Sequence, residues 1–131
     1  MKSCVLTGIK PTGEPHIGNY LGAIKPALEL AASGENALYF IADYHALTTA
    51  KDADVLRHNT YCVAATWLAL GLDPKQVTFY KQSDIPEIFE LQWILSCAAS
   101  KGLLNRAHAY KAATASNEAA GKDIDKDIEI D

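Results

Sequence analysis

A chain of 131 residues is one domain's worth of sequence, and 49% hydrophobic with 21% charged side chains is ordinary for a globular core. A net charge of -4 leaves no electrostatic footprint for nucleic acid over the chain as a whole, so a surface of that kind is local or lies outside it. Cys4, Cys62 and Cys97 are odd in number, far apart and without a C-x-x-C pair. Their spacing predicts small buried hydrophobes in a reducing compartment, neither a disulfide framework nor a zinc site.

Along the chain, short β-rich runs alternate with helical patterns. Cys4 to Ile9 reads as a first strand. Residues 18 to 33 read as a helix, in which Pro26 clashes with the carbonyl of Gly22 and predicts a kink but not a break. Ala37 to Ala42 is a second strand. Residues 53 to 70 are a second helix, with Val55, Cys62, Val63, Thr66 and Leu70 on one face and Gly71 as its stop. Val77 to Lys81 is a third strand. The third helix begins after Ser83 or Asp84, either of which can cap it, with Pro86 and Glu87 in its first turn. Ile88, Leu91, Leu95 and Ala99 recur at helical spacing and predict a core face, and Trp67 and Trp93 read as core or interface side chains.

This alternation predicts a parallel α/β sheet, whose ligands collect outside the carboxyl ends of the strands. That rule brings three polar turns together: Lys10 to His16, Asp43 to Thr48, and Gln82 to Asp84. Within them Gln82 and Ser83 read as helix-cap residues. Leu103 to Ala115 reads as a basic helix with Lys101, Arg106, His108 and Lys111 beside or on it, and 116–131 as a mobile polar segment. Asp123-x-Asp125-x-Asp127 lacks the glycine a calcium loop requires at its sixth position, where Ile128 stands, and reads as a solvated acidic loop. His58 and His108 read as surface residues, and no metal ligand set is predicted. The N-terminal apolar run is broken by Gly8, Lys10 and Pro11, too early for a signal-peptide core, and Asn59 to Leu72, the longest uncharged stretch, is short of the ~18 to 20 residues a bilayer crossing needs. A cytoplasmic location without membrane attachment follows.

The first turn carries the most information. Gly8-Ile9-Lys10-Pro11-Thr12-Gly13-Glu14-Pro15-His16-Ile17-Gly18-Asn19 joins a strand to a helix N-terminus, where unpaired backbone N–H groups and the positive end of the helix dipole suit phosphate. Gly8 admits a ligand close to the strand end, Gly18 removes a side chain where the helix begins, and Pro11 and Pro15 stiffen the turn. The spacing is neither the dinucleotide fingerprint nor the P-loop.

On these residues the chain resembles the class I aminoacyl-tRNA synthetases. His16-Ile17-Gly18-Asn19 is similar to their His-Ile-Gly-His signature, in the Gly-Asn-Tyr form of the tryptophanyl family. Asn19-Tyr20-Leu21-Gly22-Ala23, Asp43-Tyr44-His45-Ala46-Leu47-Thr48, Gly71-Leu72-Asp73-Pro74, Gln82-Ser83-Asp84 and Leu104-Asn105-Arg106 with Lys111 resemble that family's segments in the family's order, covering residues 4 to about 115. The resemblance implies a Rossmann-like, parallel-sheet catalytic domain that is incomplete in this chain. It divides the chain into a first β-α-β unit over 1–50, a connecting insertion of helices plus one strand over 51–115, and the polar segment 116–131. It implies a tryptophan-tRNA ligase, which activates tryptophan with ATP and Mg²⁺ and passes it to tRNA(Trp), with no prosthetic group.

The same resemblance assigns roles. His16 is the catalytic candidate, a donor to the α-phosphate and not a base. Lys10, Pro11, Thr12, His16, Gly18, Asn19 and Lys111 are the ATP candidates, although many family members have Gln where Lys10 stands. Leu6, Gly8 and His45 line the tryptophan side. A homodimer whose interface follows residue 50 is implied, with Ala64 to Leu70 and Trp93 as positions a partner could bury. A Lys-Met-Ser-Lys-Ser loop and the anticodon-binding domain do not occur in the sequence. The expectation is therefore a truncated or split synthetase whose residues 1–131 alone are inactive, with tRNA contacts mainly elsewhere. Three alternatives stay open: a tyrosyl enzyme, a nucleotidylyltransferase, which also uses a His-x-Gly-His turn, and a non-catalytic fragment or paralogue.

Overall fold

The computed structural model describes residues 4–124 and divides the chain into two compact units, Met1–Ile85 and Pro86–Asp131. In the first unit β1 (Cys4–Ile9), β2 (Asn36–Ile41) and β3 (Thr78–Lys81) form one parallel sheet in the order β1-β2-β3. Gly8 pairs with Phe40 and Phe40 with Tyr80, so three equivalent positions line up across the sheet. The predicted parallel α/β arrangement is therefore present. β3 shares the sheet with β1, whereas residue 50 falls between the short helix α3 (Asp43–Ala46) and α4 (Ala53–Ala69).

Between β1 and β2 the chain is helical without a break from Ile17 to Ala32. A turn of α-helix, α1 (Ile17–Asn19), passes into a π-helical turn over Tyr20–Ile24 and then into α2 (Lys25–Ala32). Pro26 has no N–H to give, and the Lys25 N–H reaches five residues back to the Tyr20 carbonyl. The chain thus absorbs the proline through a π turn.

The core lies on one face of the sheet. Ala37, Tyr39 and Ile41 alternate along β2 and pack with Ile24, Ala27, Val63, Trp67, Leu72 and Val77. Trp67 is 2% exposed and sits between Tyr39, at a ring-centroid distance of 5.3 Å, and Phe79, at 5.7 Å. The buried Tyr39 hydroxyl donates to the Ala27 carbonyl at 2.6 Å, which ties α2 to the sheet, and burial pushes that phenol's pKa up. The face of α4 turned to the core is Asn59, Thr60, Val63 and Trp67. Val55 and Leu70, expected on it, are exposed. Gly71 ends α4 as expected, at φ 100°, with its N–H on the Leu68 carbonyl and the Leu72 N–H on the Trp67 carbonyl. That pair of bonds is the Schellman arrangement.

The second unit holds α5 (Glu87–Ala98), α6 (Lys101–Leu104) and α7 (His108–Ala119). Three expectations change here. α5 is capped by Pro86 without a side-chain bond, and Ser83 and Asp84 lie in a preceding 3₁₀ turn. None of α5 is buried, so the face Ile88, Leu91, Leu95 is exposed, as is Trp93. The expected basic helix is two helices separated by Asn105–Ala107, and the second runs into the segment expected to be mobile. Asp125 and Asp127 of the acidic run lie outside the described residues. The cysteines are free, with Cys4 and Cys97 exposed and Cys62 half-buried, not core as expected.

Candidate functional site

The turn after β1 is held open by its own hydrogen bonds. His16 is the N-cap of α1: its Nδ1 accepts from the Gly18 N–H at 3.1 Å, while the Asn19 Oδ1 accepts from the His16 N–H at 3.0 Å. This reciprocal cap satisfies two orphan donors of the helix start. It has a chemical consequence, because an Nδ1 that accepts is unprotonated. The neutral imidazole then carries its hydrogen on Nε2, as an exposed donor. Gly18 is needed for this: a Cβ there would stand 2.9 Å from His16 Cε1 and 3.0 Å from Nδ1. The turn lines a cavity of about 230 Å³ with Lys10, Thr12, Gly13, Glu14, Pro15, His16 and Asn19. Pro11 is buried beneath it.

The three polar turns meet, as the rule for parallel sheets predicts. Lys10 Nζ donates to Thr48 Oγ1 at 3.0 Å, and that hydroxyl donates onward to the His45 carbonyl at 2.8 Å. The His45 N–H donates to Gln82 Oε1 at 3.3 Å, with a long 3.5 Å contact between Gln82 Nε2 and His45 Nδ1. Asp43 Oδ1 accepts from the Ser83 N–H at 3.0 Å and from the Tyr44 N–H at 3.1 Å. Gln82 and Ser83 therefore tie β3 to α3 and do not cap α5. The first turn is joined to the second, and the second to the third.

On β1, Leu6 and Gly8 share the sheet face opposite the core. Leu6 is exposed. The Phe40 ring lies against Gly8 so closely that a Cβ there would sit 2.5 Å from Cζ, and it stacks on Tyr80 at 5.8 Å. Phe40 was not singled out by sequence reasoning, and the signal that could have found it is the parallel register itself. The structure thus groups Gly8, Lys10, Pro11, Thr12, His16, Gly18, Asn19 and His45 around the carboxyl end of the sheet, with Leu6 in mid-strand on the face of Gly8. Lys111 stands exposed on α7 of the other unit.

A larger cavity of about 370 Å³ lies between α4 and the ends of β2 and β3, lined by Ile41, Asp43, Leu56, Arg57, Tyr61 and Lys81 among others. Its cations already have acids, since Arg57 lies 3.5 Å from Asp54 and Lys81 Nζ 3.2 Å from Asp84. The Lys81 amide, at 3.0 Å from Asp84 Oδ2, holds the Asp84 carboxyl below its usual range against some desolvation, with help from the Lys81 ammonium. In return the hydrogen bond and charge of Asp84 raise Lys81. A depressed carboxyl contributes stability that is present above the ordinary aspartate pKa of about 3.9 and lost as pH falls through the lower folded value. The Asp84→Asn variant is therefore expected to have a lower urea midpoint than the parent at neutral pH, with the gap closing below about pH 4. A gap independent of pH would show that the carboxylate's charge is not what the pair contributes.

The family model described as tRNA synthetases class I (W and Y) matches residues 1–127. The chain is 53% identical over 129 residues to a tryptophan--tRNA ligase of Xanthomonas campestris and 55% identical to one of Pseudomonas aeruginosa, covering 98% of this chain in each case. It spans only 30% and 29% of those proteins' lengths. Its fold is similar to a crystal structure of a Campylobacter jejuni tryptophanyl-tRNA synthetase, with TM-score 0.79 and 43% identity over 94% of this chain and 37% of that one. The same synthetase complexed with ADP and tryptophan matches at TM-score 0.77 and 42% identity, over 95% of this chain and 38% of that one.

Proposed function

The chain belongs to the family of class I tRNA synthetases for tryptophan and tyrosine, with the Rossmann-like catalytic fold of its tryptophanyl members. From that membership we propose that the full-length polypeptide carrying residues 1–131 is a tryptophan-tRNA ligase: it activates tryptophan with ATP and passes it to tRNA(Trp). The observation that carries the reading is the His16 cap, which leaves Nε2 as the free ring donor of a residue that lines the polar cavity at the start of α1.

In the proposed reaction the tryptophan carboxylate attacks the α-phosphorus of ATP, a P–O bond forms, and the bond to pyrophosphate breaks. Mg²⁺ travels with the leaving pyrophosphate as part of the substrate. Catalysis of in-line attack on phosphorus is mostly positioning and charge stabilisation. The Nε2–H of His16, with the amides at the start of α1, meets the charge that builds on the α-phosphate. Lys10 and Thr12 hold the nucleotide beside Gly18 and Asn19, and Pro11, buried under the turn, stiffens it without touching the ligand. The hydrogen bond of Lys10 to Thr48 fixes its ammonium over the turn. Lys111 is a further phosphate contact in this reading. Leu6, Gly8 and His45 form the tryptophan side in this reading, and the Phe40 ring packed against Gly8 is a wall of it. The protein acts in the cytoplasm as a homodimer. Trp67 is core, which leaves exposed Leu68, Leu70 and Trp93 as the positions available to a partner.

The test is amino-acid-dependent exchange of pyrophosphate into ATP. The full-length protein is expected to exchange with tryptophan and hardly at all with tyrosine, while residues 1–131 alone show little exchange. Equal rates with both amino acids would end the tryptophan assignment, and no exchange with either would end the enzymatic one.

A further inference from the structure

The turn after β1 contacts α4 through a second cluster of side chains. His58 Nε2 lies 3.4 Å from Cys62 Sγ and 3.6 Å from Glu14 Oε1, and one donor atom from each of the three lies within 4.8 Å of the others. His58 and Cys62 are four residues apart, on one face of α4, and Glu14 reaches them from the turn between Gly13 and Pro15. Glu14 and His58 are exposed and Cys62 is half-buried, so an ion can reach the group from solvent. We propose that Glu14, His58 and Cys62 form a binding site for a divalent transition-metal ion of the zinc class.

Geometry and chemistry agree on this. Ligand bonds of about 2.0 to 2.3 Å at tetrahedral angles put neighbouring N, O and S donors roughly 3.4 to 3.6 Å apart. The two separations that share His58 Nε2 match, and the third, from Glu14 to Cys62, is within 4.8 Å and closes by a side-chain rotation of exposed Glu14. A thiolate, an imidazole and a carboxylate suit zinc or cobalt, whereas magnesium and calcium favour oxygen donors alone. Three protein ligands leave a fourth position for water. Binding requires Cys62 to give its proton to solvent and His58 to keep its hydrogen on Nδ1, so affinity rises with pH. Cysteine spacing could not predict this site, because its ligands come from two elements and only one is a cysteine. The proposal does not depend on the nucleotide reading. If both hold, the ion staples the phosphate turn to α4, since Glu14 also lines the cavity of His16.

Cobalt(II) titrated into the full-length protein tests it. One equivalent is expected to produce a thiolate-to-cobalt charge-transfer band and the visible bands of a tetrahedral centre. Zinc should displace both, and excess magnesium neither. Cys62→Ser should abolish the charge-transfer band, while a Cys4→Ser, Cys97→Ser double variant keeps it. Glu14→Gln and His58→Gln, both at exposed positions, should each weaken binding by more than the ~10- to 100-fold that loss of a ligand's supporting hydrogen bond costs. Zinc should raise the Tm of the parent and of none of these three single variants. The proposal is overturned if no band forms, if the band survives in Cys62→Ser, or if Glu14→Gln binds as tightly as the parent, the sign of an adventitious ion on a helical His-Cys pair.

Discussion

Replacing His16 by Ala in the full-length protein is expected to lower the rate of tryptophanyl-adenylate formation by on the order of 10² to 10³, the usual loss for one transition-state donor, or about 2.7 to 4 kcal/mol. Tryptophan affinity should barely change, because the interaction strengthens only as charge develops on the α-phosphate. Since His16 Nδ1 also caps α1, the same variant should lose about 0.5 to 2 kcal/mol of stability. His16→Asn separates the two effects. Asparagine is a good N-cap, so stability should return, but it carries no imidazole and the rate should stay low. Single-turnover kinetics beside thermal unfolding reads both quantities. A rate that recovers with stability in His16→Asn, or that never falls in His16→Ala, would assign His16 to the turn alone.

The largest expected effect on stability is at Trp67. Truncation to Ala removes a side chain stacked on Phe79, packed at a tilt against Tyr39 and 2% exposed. The expected cost is about 3 to 5 kcal/mol, a large part of the stability of a small domain. Trp67→Phe should cost much less. The Trp67 Nε1–H is buried without a hydrogen-bond partner among the described residues, so phenylalanine gives up some packing and relieves an unsatisfied donor. Urea unfolding of the two variants checks this, and equal losses would mean that the indole N–H is satisfied in solution.

The sequence was most legible where backbone chemistry is local. Gly71 announces the end of α4 because only a residue free to take φ 100° closes that pair of bonds. The strand–turn–helix around His16 and the meeting of three turns follow from the strand alternation. The phase of α4 was not legible. Apolar side chains surround that helix, and the core face shares only Val63 with the one periodicity favoured. What decides the phase is the slot between Tyr39 and Phe79, a feature of the sheet. Thr60 can join the buried face because its hydroxyl donates to the Leu56 carbonyl at 2.8 Å. Phe40 against Gly8 and the Glu14, His58, Cys62 group escaped for the same reason, since each joins side chains from separate elements. At the site, the turn could be read residue by residue, and what surrounds it could not.

The π turn over Tyr20–Ile24 sets an angular relation between the two ends of its helix. At its end and just beyond it, Ile24 and Ala27 are fixed in the core; before it, Gly18 and Asn19 meet the His16 ring and backbone. In a uniform α-helix each residue advances the azimuth by about 100°, and five-residue spacing interrupts that count once. The helix therefore works as a keyed shaft, with exposed Pro26, at the start of α2, disfavouring the regular pitch. The aim of the His16 turn is set by a backbone irregularity as much as by the side chains within it, and that irregularity lies in residues whose side chains touch neither the cavity nor its hydrogen bonds.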